Sequence, residues 1–323
     1  MRVTSRAFCC AVSGVFGLIA CSAGAFAQQL DTFRLAIGGF GLWAAEAPRL
    51  GQQAGIFKKH GINVEYYATA GAGESLQAVI SGSADLSIAV GTTGVMGAFA
   101  KGAPVRIIGS NFTGASDLYW YARADSPIKT LKDGTEKNVL GFSSNGSSSN
   151  TIAVALVEET GAKMKLLASG DQAATLTQVM SGQIDLGWAA PPFGLKEISE
   201  GKIRIVATGN DAPSLRDQTV RVDIASVKVL TERKDALVRY VKAYRETLEW
   251  MYADPKAIEM WAANIGVPVE FARKAAFDFQ PKAARDFDVI TGLDKLMEGA
   301  VRQKFLTAPL TKEQLSTLIQ VVK

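Results

Sequence analysis

The residues Gly141-Phe142-Ser143-Ser144-Asn145-Gly146-Ser147-Ser148-Ser149-Asn150 form a stretch rich in hydroxyls. They fall between an expected strand, Asn138–Phe142, and an expected helix, Asn150–Thr160, so their serine and glycine amides gather at a helix N-terminus. Free N–H groups there, together with the helix dipole, favour a carboxylate, sulfonate or phosphate oxygen. A polar cap without a ligand is the other reading of the same residues. The spacing Gly141-x4-Gly146 imitates a nucleotide-binding P-loop, but Ser147 stands where that motif requires lysine, and ATP binding is rejected. Gly71-Ala72-Gly73-Glu74-Ser75-Leu76 likewise lacks the last glycine of a dinucleotide fingerprint. Its glycines instead allow backbone to approach a small ligand closely.

Other reactive side chains are sparse. Asp85 and Asp185 look like a carboxylate pair, yet their shared position at a strand start assigns them to a turn or cap. The single histidine, His60, follows Lys58-Lys59 and precedes Gly61, a solvated turn. No Gly-x-Ser-x-Gly elbow occurs, and all three cysteines (Cys9, Cys10, Cys21) lie near the N-terminus. Nothing here equips an enzyme, and neither a cofactor nor a metal is expected. The net charge of +4, from 35 Lys+Arg against 31 Asp+Glu over 323 residues, is too small for a nucleic-acid binder, which needs a concentrated basic face.

The elements that must position these residues are written twice. Val79–Gly94 and Val179–Gly194 share seven of sixteen aligned residues, including Ser-Gly at 81–82 and 181–182 and Asp-Leu at 85–86 and 185–186. In each copy a helix stops at Ser-Gly, because glycine readily takes a left-handed C-cap, and a strand then begins. Upstream, the first copy predicts a strand at Phe33–Ile37, a loop, a helix at Trp43–Ala54 and a strand at Ile62–Tyr67. The second predicts strands at Asn138–Phe142 and Met164–Ala168 around the serine loop and its helix. Such alternation implies two α/β lobes with mostly parallel sheets flanked by helices. From about Thr231 the chain is helical. Leu237, Tyr240, Val241, Tyr244, Leu248 and Met251 mark one long amphipathic helix ending at Asp254-Pro255, and Thr311-Lys312-Glu313-Gln314 is a capping box. The tail is expected to pack on the first lobe. Crossings between lobes are expected near Leu118–Ala122 and Val220–Ser226, as paired hinge strands.

Residues 1–27 read as an export signal: basic Arg2 and Arg6, an apolar stretch from Ala7 to Ala20, and Ala25-Phe26-Ala27 before Gln28. Leu18-Ile19-Ala20-Cys21 also resembles a lipobox, which would lipidate Cys21. Both readings place the protein outside the cytoplasmic membrane, in the periplasm.

Gln53-Ala54-Gly55-Ile56-Phe57, Gly61-Ile62-Asn63-Val64-Glu65, Gln77 through Asp85, Lys101-Gly102-Ala103-Pro104-Val105, Ser126 through Asp133 and Gly182-Gln183-Ile184-Asp185 together resemble the periplasmic solute-binding proteins of ABC importers. The resemblance is to the branch for sulfonates, taurine, nitrate and thiamine precursors. It implies a two-lobed periplasmic-binding-protein fold of type II, with a leader at 1–27, a first lobe at 28–118 and 223–323 and a second at 119–222. It also implies a small-molecule solute held in the inter-lobe cleft by hinge closure, delivery to an ABC permease, and a monomer. The branch's contacts fall on loops after strands, here Phe40, Gly41 and Trp43; Gly71, Ala72 and Gly73; Thr92 and Thr93; Asn111; and Ser144, Asn145, Gly146, Ser147, Ser148 and Ser149, with Pro191 and Pro192 opposite. Phe40, Trp43 and Phe193 suit either a ligand wall or the core. These loops lack Arg and Lys, so an anionic solute would depend on helix N-termini and hydroxyls. A secreted enzyme on the same fold, or a sensor for a signalling partner, is the alternative.

Overall fold

The computed structural model describes residues 30–323; the export signal, Cys21 and both cleavage positions lie outside the described residues. The first sheet contains β1 (Asp31–Ile37), β2 (Ile62–Ala68), β3 (Leu86–Gly91), β4 (Val105–Thr113) and a late strand, β10 (Thr219–Ser226). Its order is β2-β1-β3-β10-β4. β1 pairs in parallel with β2 and β3, and β10 runs antiparallel to both β3 and β4, so every strand except β10 points the same way.

The second half repeats the layout. β5 (Tyr119–Arg123), β6 (Val139–Phe142), β7 (Lys165–Ala168), β8 (Gly187–Ala189) and β9 (Ile203–Thr208) supply the strands. β6 pairs in parallel with β7, a parallel bridge joins Leu140 to Leu186 at the start of β8, and β5 lies antiparallel between β8 and β9. The order β7-β6-β8-β5-β9 is that of the first sheet, element for element. The helices of the two halves are α1 (Ala47–Gln53), α2 (Ile56–Lys59), α3 (Ala72–Ser81), α4 (Thr92–Ala100), α5 (Ser148–Thr160), α6 (Gln172–Ser181) and α7 (Leu195–Ser199).

The two crossing strands are placed differently from the expectation. β5 and β10 do not pair with each other; β10 is inserted between β3 and β4, and β5 between β8 and β9. The chain crosses through residues 114–118 and 209–218, and the ladder of β10 on β4 begins at Thr219 opposite Thr113. A boundary after residue 222 would therefore divide a strand whose whole length is paired within the first sheet.

The repeat is kept by matching local chemistry. Gly82 and Gly182, at φ 79° and 77°, end α3 and α6 in the left-handed region. Asp85 Oδ2 accepts the Arg34 amide at 2.9 Å, and Asp185 Oδ2 accepts the Val139 amide at 2.7 Å. Each aspartate thus ties the approach to β3 or β8 to the neighbouring strand, a sheet lock rather than a turn cap. Thr69 with Ser75 (2.8 Å) and Ser169 with Thr175 (2.7 Å) form the same hydroxyl pair in both halves.

The tail adds α8 (Val227–Glu232), α9 (Lys234–Ala253), α10 (Pro255–Ile265), α11 (Val269–Phe279), α12 (Leu293–Arg302) and α13 (Lys312–Leu318). Leu237, Tyr240, Val241, Tyr244, Leu248 and Met251 of α9 are buried with Phe33, Leu35 and Ile62 on one face of the first sheet. Leu296, Met297 and Leu318 pack with Val95, Val105 and Ile107 on the other. The second half has its own core around Trp120, Leu140, Ile152, Leu156 and Leu186.

The halves meet backbone to backbone. The Gly94 amide donates to the Gly146 carbonyl at 3.1 Å, and a Cβ on Gly91 would lie 2.2 Å from that same oxygen. Only glycine fits this seam.

Replacing Asp185 with alanine strands the Val139 amide and the Asn138 side-chain amide (Nδ2), which donates to Asp185 Oδ1 at 2.9 Å. The expected cost is about 1–3 kcal/mol, read as a lower urea midpoint with unchanged slope.

Candidate functional site

The carboxyl ends of the parallel strands in both sheets open onto one cleft of about 280 Å³, where open α/β sheets place their ligands. The first half contributes Gly38–Phe40, Leu42, Ala45, Thr69, Ala72 and Ala89. The second contributes Ser143, Ser147–Ser149, Asp171–Ala173, Trp188, Ala190 and Phe193. Leu118 and Arg221 enter from the crossing segment and from β10.

The serine loop is built by its own hydrogen bonds. Ser147 is the N-cap of α5 and its Oγ accepts the Asn150 amide at 3.1 Å. The Ser143 amide donates to Ser149 Oγ at 2.9 Å, and the Gly146 amide to Asn150 Oδ1 at 3.0 Å. These bonds point the first turn of α5 at the cleft.

Of the residues expected at the site, Phe40, Ala72, Ser147, Ser148 and Ser149 line the cleft. Phe40 is 42% exposed and stands edge-on to Tyr66. Gly71 and Gly73 lie against Ser144, whose Oγ accepts the Gly73 amide at 3.2 Å, so Ser144 spends its hydroxyl on bridging the halves. Gly146 packs on Gly94, Thr93 bonds Thr151 at 3.1 Å, and Thr92 donates to the Thr219 carbonyl at 2.6 Å. Gly146 and Thr93 therefore belong to the seam, whereas Thr92 is tied to β10 within the first half.

Others sit away from the cleft wall. Trp43 is fully buried against Trp261 and Tyr252 of the tail, a partnership created by α9 and α10. Asn111 is buried beneath the cleft, donating to Asp223 Oδ1 at 2.9 Å and to the Ala44 carbonyl at 3.2 Å. The Gly41 amide donates to Glu46 Oε1 at 2.8 Å, and Asn145 is exposed. Pro191 and Pro192 are buried and off the cleft wall, whereas their chain neighbours Ala190 and Phe193 line it. His60, expected to be merely solvated, has its Nε2 2.7 Å from Glu246 Oε2. Lys59 and His60 together hold the Glu246 carboxyl below its ordinary range.

The expected loops hold no Arg or Lys, but sequence reasoning missed a cation that reaches the cleft from a strand, Arg221 of β10. Arg221 is 2% exposed. It donates through Nη2 to the fully buried Asp117, stacks over the Phe112 ring at 4.7 Å, and brings Nη1 to 3.4 Å from Ser148 Oγ. Its Nε has no protein partner. Desolvation raises the Asp117 carboxyl pKa, while the adjacent guanidinium opposes the rise. Two residues further along β10, Asp223 accepts the Ala89 amide at 2.9 Å and holds Ala89, which lines the cleft, at φ 56°. L-residues with a Cβ seldom adopt that conformation. Burial pushes the Asp223 carboxyl up to about 6 despite those hydrogen bonds. The signal that could have found both is their alternation in an otherwise apolar run, Val220-Arg221-Val222-Asp223-Ile224, since charges in a buried strand need a stated reason.

Two sheets of matched order, joined by swapped strands around one cleft, define a periplasmic-binding-protein fold. Solved structures share it. The alkanesulfonate-binding protein SsuA from Xanthomonas axonopodis pv. citri, bound to MOPS, superposes with a TM-score of 0.70 at 15% identity, covering 90% of this chain and 98% of that one. The periplasmic nitrate-binding protein NrtA from Synechocystis PCC 6803 gives 0.66 at 15% identity, covering 90% and 85%. The desulfurization enzyme DSZB gives 0.62 at 15% identity, covering 90% and 96%. No curated protein sequence matches the chain significantly. Residues 49–258 match the NMT1/THI5-like family, and the chain belongs to that family.

Asp223 makes stability depend on pH in a stated direction. Its folded pKa of about 6 lies above the ordinary 3.8, so its contribution is fully present below that ordinary value and is lost as pH rises through 6. Asp223→Asn removes the titration and keeps an acceptor for Ala89. Relative to the unaltered protein, the variant should gain about 2 kcal/mol between pH 4 and pH 7.5, measured by denaturation at both pH values. Parallel pH curves would contradict this account.

Proposed function

We propose that this protein is an extracytoplasmic solute-binding receptor of an ABC importer. It captures a small organic solute between its lobes by hinge closure and presents it, as a monomer, to a membrane permease. The solute class is an anion such as a sulfonate or an aromatic or other organic acid, or a thiamine-precursor pyrimidine. The observation that carries the reading is the cleft itself, walled by equivalent post-strand loops of both repeats. Membership of the NMT1/THI5-like family and the shared fold of periplasmic sulfonate- and nitrate-binding proteins support it.

Binding rather than turnover fits the lining. Among the described residues facing the cleft, the acidic and basic groups are Asp171 and Arg221, and Arg221 is committed to Asp117. That set holds a solute without offering a proton-transfer pair. A guest of about 12 heavy atoms, at roughly 0.7 kcal/mol each, would bind with about −8 kcal/mol, near micromolar.

Thermal-shift screening with organic acids, sulfonates, nitrate and pyrimidines should give a hit, and saturating solute should shrink the radius of gyration in small-angle scattering. Ser148→Trp, which fills the cleft, should abolish the shift while circular dichroism stays unchanged. A solute that still binds this variant would sink the cleft assignment.

A further inference from the structure

We propose that the hollow between α9 and the turn at residues 282–288 is a second binding site, apart from the cleft. Its ligand is a free amino acid with an apolar side chain, the carboxylate on Arg285 and the ammonium group at Asp286. The proposal stands on the helical tail alone and does not depend on the receptor reading.

The hollow measures about 760 Å³, within the range of small-molecule sites. Its apolar walls are Leu248 and Tyr252 of α9 and Phe287 of the turn. They are held in place from behind. The Tyr252 hydroxyl donates to the Gln280 carbonyl at 2.7 Å, and the Ser110 amide of β4 donates to the Phe287 carbonyl at 2.8 Å.

Arg285 is the residue that points to a ligand. It closes the short 3-10 helix Lys282–Arg285, lines the hollow and is 4% exposed. None of its three guanidinium nitrogens has a hydrogen-bond partner among the described residues. A buried guanidinium without acceptors is costly. Two buried carboxylates lie within reach of its charge: burial raises the pKa values of Asp117 and Asp223, and Arg285 opposes both rises. Both are engaged elsewhere. Asp117 accepts from Arg221, and Asp223 accepts the Ala89 amide and the Asn111 side chain. A carboxylate entering from the hollow matches the guanidinium fork with two parallel bonds.

The charges around the hollow select the rest of the ligand. Arg245 pairs with Asp288, and Lys282 with Glu249 at 2.5 Å. Arg285, buried, and Asp286, exposed, are the remaining charges that line it. Asp286 Oδ1 accepts the Asp288 amide at 3.0 Å, and no cation pairs with it among the described residues. With Asp117, Asp223 and Arg221 behind the wall, carboxylates already outnumber cations by one. A plain anion would add to that surplus. A zwitterion leaves it unchanged, its negative end inward on Arg285 and its positive end outward at Asp286.

The test is calorimetric titration of the full mature chain with phenylalanine and leucine. Hydrocinnamate, which lacks the ammonium group, and phenylalaninamide, which lacks the carboxylate, serve as comparators. Phenylalanine or leucine should bind, and phenylalanine about ten- to hundredfold more tightly than its amide. Its advantage over hydrocinnamate should be smaller, about fivefold, because Asp286 is exposed. Asp286→Asn, a surface change, should erase the second advantage and keep the first. Arg285→Gln should erase the first, and the Asp286 variant and the comparators decide the matter should Arg285→Gln not fold. Absence of amino-acid binding, which would make Arg285 merely hydrated, overturns the proposal. Equal binding of phenylalanine and its amide, or an unchanged profile in Asp286→Asn, overturns it as well. Asp286 is remote from the cleft lining, so any of these failures leaves the receptor reading as it was.

Discussion

The returning strand β10 fixes most of what this molecule can do. Its backbone is held on both edges, by β3 and by β4, so its side chains are located by ladder geometry rather than by loop conformation. One of them, Arg221, is delivered to the floor of the cleft, and another, Asp223, reaches under the adjacent strand to hold Ala89. The irregular register of β10 against β3, between Val222 and Ile224, lies where this happens. Bulges next to binding sites characteristically re-aim side chains. A rigid strand is a better mount for a charged group than a mobile loop, because the desolvation cost of burying a cation is offset only if its partner stays in place.

Asp117 shows the other side of that constraint. It lies in the outward crossing segment, whereas Arg221 lies on the strand that follows the second crossing, and the two meet as a fully buried pair. The ion pair therefore ties together the two places where the chain passes between halves. Removing either partner would leave an uncompensated charge in the interior, which is far costlier than losing a surface pair.

Much of the architecture was legible in the sequence because the evidence for it is local. The Ser-Gly stops, the Asp-Leu strand starts and the periodic α9 depend on neighbours in the chain, and the structure places each where its own residues dictate. The serine loop was legible for the same reason, since Ser147 caps α5 from within the loop. What could not be read was non-local. Trp43 is claimed by Trp261, more than two hundred residues away, and Asn111 by Asp223; no spacing rule in the first half announces partners in the tail. The crossing strands were located, but the exchange between sheets was not, because β propensity says nothing about which edge a strand will join.

That exchange has a consequence for any attempt to divide the protein. A fragment ending before residue 119 would keep β3 and β4 but lack the strand that lies between them. Two facing rows of amides and carbonyls would be left open in the middle of a sheet, a template for pairing with other chains. The halves look like duplicates, yet only the second is one continuous stretch of chain: the first is completed by β10, which the chain reaches only after building the whole of the second.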